Sequence, residues 1–230
     1  MGIGAAEVPQ ALALHDAQRS RDVPVFLYEP EGCRAERPCP VVLLSPGYGV
    51  PATGYGFIAQ PLRAAGYLVV AVQHDLPTDP PMPNTGHLQR DRTPTWQRGA
   101  ANLQFVRQAL ALRLPVYAWQ RVVLVGHSNG GDLSSLLASQ DDGFAAVLVT
   151  LDHRRVPLPL ARRDLRVLSL RGSDFAADAG VLPAGAAPGI CIVQMADARH
   201  DDMQDDGPAG LKTRLRDAVM DFLTHDRCPR

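Results

Sequence analysis

The sequence lacks a strong charge of either sign, since 23 lysine and arginine residues stand against 24 aspartate and glutamate residues among 230. A chain with so weak a field is poorly suited to attract nucleic acid or an anionic membrane. It also lacks any apolar run near the roughly 20 residues that a membrane-spanning helix needs. These absences predict a small-molecule partner, no nucleic acid and no membrane span, and they leave the oligomeric state open.

Cysteine is scarce, with four residues that show no Cys-x-x-Cys pair and no histidine spacing typical of zinc. The sequence therefore predicts neither a metal nor a cofactor. Cys33 and Cys39 lie in a polar connection and can bridge in an oxidising compartment, whereas Cys191 lies in an apolar run and is expected only to pack. Residues 1–6 lack the features of a secretory signal, so the expected compartment is the cytoplasm, or the periplasm or exterior if a signal has been removed.

Short apolar runs alternate with helical patterns, which is typical of a mostly parallel sheet covered by helices, and the length suits a single domain over residues 1–230. Eight strands are predicted, the first two as an antiparallel hairpin, at residues 11–15, 23–30, 40–45, 67–73, 121–125, 144–150, 165–170 and 190–195. Helices are predicted at residues 98–113, after residue 128, around residues 211–222, and in a shorter segment that ends near residue 66. Five prolines in residues 74–96 predict a surface loop.

The motif GHSNG, residues 126–130, separates a strand that ends at Val125 from an apolar helical pattern. A Gly-x-Ser-x-Gly motif between strand and helix predicts a nucleophile elbow, in which strained backbone lifts a serine onto the carboxyl edge of the sheet. The alternative is that Ser128 only caps the helix at a tight turn. A serine needs a base to act as a nucleophile, so the nucleophile hypothesis depends on the histidines and acids at later strand ends.

His200 is the best candidate for the base, because it follows the eighth strand and so lies at the same edge of the sheet. His74 and His153 also follow strands, but solvated loop histidines are the simpler interpretation of both. For the acid we expect Asp174, in a turn after the seventh strand. The alternatives are two further loop residues, Asp152 and Asp178. The chain order of serine, acid and histidine is the one expected for a nucleophile elbow.

An oxyanion hole needs two backbone N–H donors, one directly after the nucleophile and one from the loop after the third strand. Asn129 supplies the first by position. In the sequence SPGYG of the second loop, Tyr48 is the expected donor. We expect the Tyr48 ring to lie over the substrate pocket and Trp96 to form one of its walls.

With these residues assembled, the chain resembles the α/β-hydrolase superfamily from residue 23 to the final helix. The segments VVLLSPGYG, LRAAGYLVVAVQHD and GHSNGGD are most similar to platelet-activating-factor acetylhydrolases, dienelactone hydrolases and cutinase-like polyester hydrolases. The resemblance implies an α/β-hydrolase fold and a cofactor-free serine esterase that uses Ser128, Asp174 and His200. Dienelactone hydrolases have a cysteine where this chain has Ser128, and polyester hydrolases commonly have methionine in place of Asn129, so neither specific activity is implied.

The connection of residues 151–164 is short where relatives insert a helical cap, which predicts an open site for short-chain or aryl esters. Amide hydrolysis, thioester hydrolysis and acyl transfer can use the same residues. A catalytically silent domain that binds a ligand or protein is the alternative from another class. The connection also contains four arginines, which either attract an acidic substrate or face solvent, at positions Arg154, Arg155, Arg162 and Arg163.

Overall fold

A computed structural model describes residues 8–225 and 227–229, and its centre is a sheet of eight strands. The strands are β1 (Gln10–Asp16), β2 (Arg21–Tyr28), β3 (Cys39–Ser45), β4 (Leu68–Val72), β5 (Tyr117–His127), β6 (Ala145–Leu151), β7 (Arg166–Arg171) and β8 (Ile190–Gln194). Their order across the sheet is β1-β2-β4-β3-β5-β6-β7-β8. β1 and β2 form an antiparallel hairpin and β2 pairs antiparallel with β4, whereas β3 to β8 run parallel. All eight predicted strands are confirmed.

Helices cover both faces of the sheet, which explains why its central strands are continuously apolar. The helices are α1 (Gly56–Ala64), α2 (Leu88–Arg113), α3 (Asn129–Gln140) and α4 (Ala209–His225). The buried side chains of α2 and α3 pack in one apolar cluster and those of α1 and α4 in another. Because parallel strands end at a common edge, the loops after β3, β5, β6, β7 and β8 meet beside the N-terminus of α3.

Helix α2 begins at Leu88, so the prediction of a loop through residue 96 is wrong for its last nine residues. Pro94 lies inside the helix and cannot donate a backbone hydrogen bond. Trp96 is only 2% exposed and packs in the apolar cluster beneath α2 and α3. Burial of this indole contributes a few kcal/mol, which is of the same order as the cost of a helical proline, about 3 kcal/mol.

Two disulfide bonds join all four cysteines. One links Cys33 to Cys39, the pair that the sequence allowed, and the other links Cys191 to Cys228. The expectation that Cys191 only packs is therefore wrong: its side chain is buried, but it also ties β8 to the segment that follows α4. None of the helices in residues 8–225 combines the length and apolar character needed to cross a bilayer.

Candidate active site

Ser128 occupies a sharp turn between β5 and α3, with φ of 52° and ψ of −119°. This conformation is strained for a residue with a Cβ and costs about 1–3 kcal/mol. The neighbouring glycines make the turn possible, because a Cβ on Gly126 would lie 2.3 Å from the Gly130 carbonyl oxygen. A Cβ on Gly130 would lie 2.1 Å from the carbonyl oxygen of Ser45 on β3. The turn therefore has the tight geometry expected of a nucleophile elbow.

The Ser128 hydroxyl lies 2.8 Å from Nε2 of His200, which follows β8 in a short 3-10 helix. The other ring nitrogen, Nδ1, lies 2.6 Å from Oδ2 of Asp152, directly after β6. Hydroxyl, imidazole and carboxylate therefore form a continuous hydrogen-bonded series. If the ionised carboxylate accepts the proton of Nδ1, Nε2 is left as an acceptor for the serine hydroxyl.

Asp174 does not contact the imidazole, so its predicted place beside the His200 ring is wrong. Its two carboxylate oxygens accept the backbone N–H of His200 at 3.0 and 3.1 Å. Asp152 can reach the ring because β6 lies nearer to β5 in the sheet and the Asp152 backbone has a φ of 46°, which turns the chain at the strand end. The third candidate, Asp178, instead pairs with Arg155.

Asp152 is completely buried and is held in its charged form by its surroundings. Burial alone would raise the pKa of this carboxyl, but the hydrogen bond from His200 and the positive charges of Arg171 and Arg154 outweigh that effect and hold the pKa well below its usual range. Oδ1 also accepts the Gly172 N–H at 2.9 Å. The site therefore presents the imidazole with an ionised carboxylate at neutral pH.

The loop after β3 lies beside the elbow, and Gly47 to Val50 form a turn in which Gly49 has a φ of 77°. The Gly47 N–H is engaged by the hydroxyl of Tyr55 at 2.9 Å. Asn129 is the first residue of α3, where a backbone N–H has no partner within the helix. The structure thus places the two expected donors, Tyr48 and Asn129, on the two segments that border Ser128.

A buried hydrogen-bond series connects this loop to the loop of His200. The Tyr55 hydroxyl accepts the Gly47 N–H and lies 2.8 Å from Nδ1 of His127, while Nε2 of His127 lies 3.1 Å from the backbone oxygen of His200. Burial lowers the pKa of His127 to about 3, so the ring is neutral and can donate from Nε2 while it accepts at Nδ1. The sequence does not predict these contacts of Tyr55 and His127, because they join residues that are 72 and 73 positions apart in the chain.

Removal of the Tyr55 hydroxyl is expected to destabilise the protein. Tyr55→Phe leaves the Gly47 N–H and Nδ1 of His127 without a partner in a buried region, which should lower the free energy of unfolding by about 2 kcal/mol. Urea unfolding measures this change. Tyr28→Phe is the matched control, because Tyr28 is also buried but no other described residue hydrogen-bonds its hydroxyl. Equal stability of the two variants would contradict the importance of the series.

Among the described residues, neither of the other two candidate bases forms a hydrogen bond with Ser128. His74 is 3% exposed, and its Nε2 lies 2.9 Å from the hydroxyl of Ser45. His153 is fully buried beneath α3. Burial lowers the pKa of each to about 3, so both rings are neutral at physiological pH. The interpretation of these two residues as solvated loop histidines is therefore wrong, because both belong to the interior.

A cleft of about 350 Å³ opens above Ser128. Its walls are formed by the residues Tyr48, Met82, Asn84, Arg92, Asn129, Asp132, Arg154, Arg155 and His200. Tyr48 lines the cleft as expected and is 45% exposed, with its hydroxyl 3.0 Å from the Met82 nitrogen. Trp96 is not part of the wall, which corrects the prediction, because its ring points into the core. No pattern in the sequence predicts that Arg92 lines the cleft, because it is an ordinary arginine in a proline-rich segment.

The described residues offer no set of side chains that could bind a metal ion. Within the described ranges, no group of three or more His, Cys, Asp or Glu side chains could hold a metal ion. The carboxylates near the cleft are instead engaged by arginine side chains and backbone N–H groups.

The fold is that of the α/β hydrolases, as the comparison with solved structures shows. Esterase 2 of Thermogutta terrifontis, phosphoramylated by tabun, superposes with a TM-score of 0.68 at 13% identity, over 96% of each chain. A ferulic acid esterase from Streptomyces cinnamoneus gives a TM-score of 0.67 at 18% identity, over 98% of this chain and 93% of that one. Esterase 2 with butyrate bound gives 0.67 at 11% identity, over 96% and 95%. No protein-family model and no curated protein matches the sequence.

Proposed function

We propose that this protein is a serine hydrolase that cleaves carboxylic esters through an acyl-enzyme on Ser128. The observation that carries the proposal is the series from Ser128 through His200 to Asp152, with contacts of 2.8 and 2.6 Å at the floor of an open cleft. A serine hydroxyl held at this distance from a neutral imidazole can be deprotonated as it attacks. The names of the similar structures, all esterases, support the same reaction class.

In the acylation step, the Ser128 oxygen attacks the ester carbonyl while Nε2 of His200 takes its proton. Asp152 stabilises the imidazolium through Nδ1 and keeps the ring oriented. The backbone N–H groups of Tyr48 and Asn129 donate to the oxyanion, and each donor contributes roughly 3 kcal/mol. His200 then gives its proton to the leaving alcohol oxygen as the tetrahedral intermediate collapses.

In the second step, His200 deprotonates a water molecule that attacks the acyl-enzyme, and the proton returns to Ser128 as the acid is released. The residues of the series are thereby restored without a cofactor. Residues 151–165 form no helical cap over the cleft, and the volume of about 350 Å³ suits a short acyl chain or an aryl ester. These features support a preference for small esters.

A matched set of substrates tests the reaction class. We expect the wild-type protein to hydrolyse 4-nitrophenyl butyrate much faster than the 4-nitroanilide of butyrate, because 4-nitrophenolate is a much better leaving group than the nitroanilide nitrogen. A butyryl thioester completes the set. Faster cleavage of the anilide or the thioester would move the assignment to an amidase or thioesterase. Absence of turnover for all three, above the rate of Ser128→Ala, would favour a domain that binds without catalysis.

A further inference from the structure

Three guanidinium groups line the cleft beside Ser128, and they indicate the kind of ester it accepts. Arg92 projects from α2, while Arg154 and Arg155 come from the connection after β6. The sequence offers two interpretations of the last two, a solvated face or an attraction for acidic substrates. Their place in the wall of the cleft favours the second, provided that the cleft is the ester-hydrolysing site proposed above.

Two of the three arginines already have carboxylate partners. Arg154 donates to Oδ2 of Asp152 from Nε at 3.0 Å and from the terminal nitrogen at 2.8 Å. Its charge is therefore paired with the carboxylate of the Ser128–His200–Asp152 series. Arg155 pairs with Asp178, whose side chain is 44% exposed. Ion pairs this close to solvent are weak, so a carboxylate group of a ligand can compete for Arg155.

Arg92 has no carboxylate partner in the described part of the chain. Its Nε donates to the backbone oxygen of Pro83 at 2.9 Å, and no carboxylate there lies within ion-pair distance of its guanidinium. Burial lowers the pKa of Arg92, and the nearby charge of Arg155 lowers it further, against weaker opposing effects of Asp132 and Asp178. A half-buried cation next to a second cation is stabilised when an anion binds beside both.

Among the described residues, Asp132 is the one carboxylate that lines the cleft, and it accepts hydrogen bonds from the backbone. Its Oδ1 accepts the N–H groups of Arg154, Arg155 and Val156 at 3.2, 2.8 and 3.0 Å. Burial raises its pKa to about 6 despite these bonds. The carboxylate thereby fixes the connection that carries Arg154 and Arg155. No acidic side chain of the described residues binds the guanidinium donors of Arg92.

We propose that the cleft selects esters that carry a carboxylate group, with Arg92 as the main binding cation and Arg155 as the second. A guanidinium matches the two oxygens of a carboxylate in shape and in hydrogen-bonding capacity. The carboxylate sits on the substrate at a distance from the scissile ester, so that the reacting carbonyl lies over Ser128 while the charge reaches Arg92. Esters of dicarboxylic acids and esters of hydroxy acids are the two chemical sources of such a group.

Paired esters that differ only in the charged group test this proposal. 4-Nitrophenyl hexanoate is compared with mono-4-nitrophenyl adipate, which places the charge on the acyl side. 4-Acetoxybenzamide is compared with 4-acetoxybenzoate, which places it on the alcohol side. Rates with Ser128→Ala are subtracted as the spontaneous reaction. We expect kcat/KM to favour the charged member of at least one pair by about tenfold or more, as for hydrogen bonds to charged groups.

Substitution of Arg92 is expected to remove this preference. Arg92→Gln should lower the ratio of charged to neutral kcat/KM by about tenfold or more, and Arg92→Lys should retain part of it. Arg90→Gln is the matched control, because Arg90 carries the same charge on the same helix but is 71% exposed and outside the cleft wall. The control should leave the ratio unchanged.

The outcomes separate this proposal from its alternatives. If Arg92 only anchors the loop at Pro83, both members of a pair will change by the same factor in Arg92→Gln and the ratio will stay constant, which overturns the proposal. A wild-type ratio near one in both pairs also overturns it, while leaving the esterase proposal intact. Absence of Ser128-dependent turnover for both charged and neutral esters would overturn the proposed function itself.

Discussion

Ser128→Ala is expected to abolish ester turnover, with a fall in kcat/KM of at least about 10⁴-fold, because the attacking oxygen is removed. The same variant should no longer react with a fluorophosphonate probe, which forms a bond to an activated serine. Mass spectrometry of the labelled peptide and initial rates on 4-nitrophenyl butyrate measure the two effects.

Two controls distinguish loss of the nucleophile from loss of the fold. Ser139→Ala changes an exposed serine on the same helix and should keep both activity and labelling. Ser128→Gly should be inactive but more stable than wild type by about 1 kcal/mol or more, because glycine relieves the strain at a φ of 52°. Labelling that persists at another residue in Ser128→Ala would refute the nucleophile assignment.

Asp152→Asn is expected to lower kcat by about 10⁴-fold, as the loss of the acid does in serine proteases. Asparagine is nearly isosteric, but it cannot stabilise the imidazolium as a carboxylate does. It can also hold the His200 ring in the tautomer whose Nε2 carries the proton. KM should change much less than kcat, because Asp152 is buried behind the histidine and does not line the cleft. Steady-state kinetics separate the two parameters, and thermal unfolding monitors the loss of the ion pairs with Arg154 and Arg171.

Asp174→Asn is the matched comparison for this prediction. Among the described residues, its carboxylate accepts hydrogen bonds from the backbone N–H of His200 alone and lies 3.8 Å from the Arg154 guanidinium, and an asparagine oxygen can accept the same backbone bond. We therefore expect a loss of less than about tenfold, consistent with a bond worth about 1 kcal/mol. A severe defect in Asp174→Asn together with a mild one in Asp152→Asn would return the acid to the loop after β7.

The sequence does not distinguish Asp152 from Asp174 as the acid. Both follow parallel strands, both precede His200 in the chain, and both come to the same edge of the sheet. Only the three-dimensional path decides that the Asp152 side chain meets the ring and the Asp174 side chain meets the backbone. Trp96 is a similar case. A loop and a helix that contains one proline can have the same composition, and only the burial of the indole in the tertiary structure distinguishes them.

The sequence by itself determined the eight strands and the position of the strained turn. Strand runs and the glycines around Ser128 are local signals, because they follow from burial on both faces and from the space that a turn allows. The tertiary structure decided the acid, the Tyr55 and His127 connection, and the arginines in the cleft wall. These depend on contacts between residues tens of positions apart, whose distances are set by how the strands and helices pack.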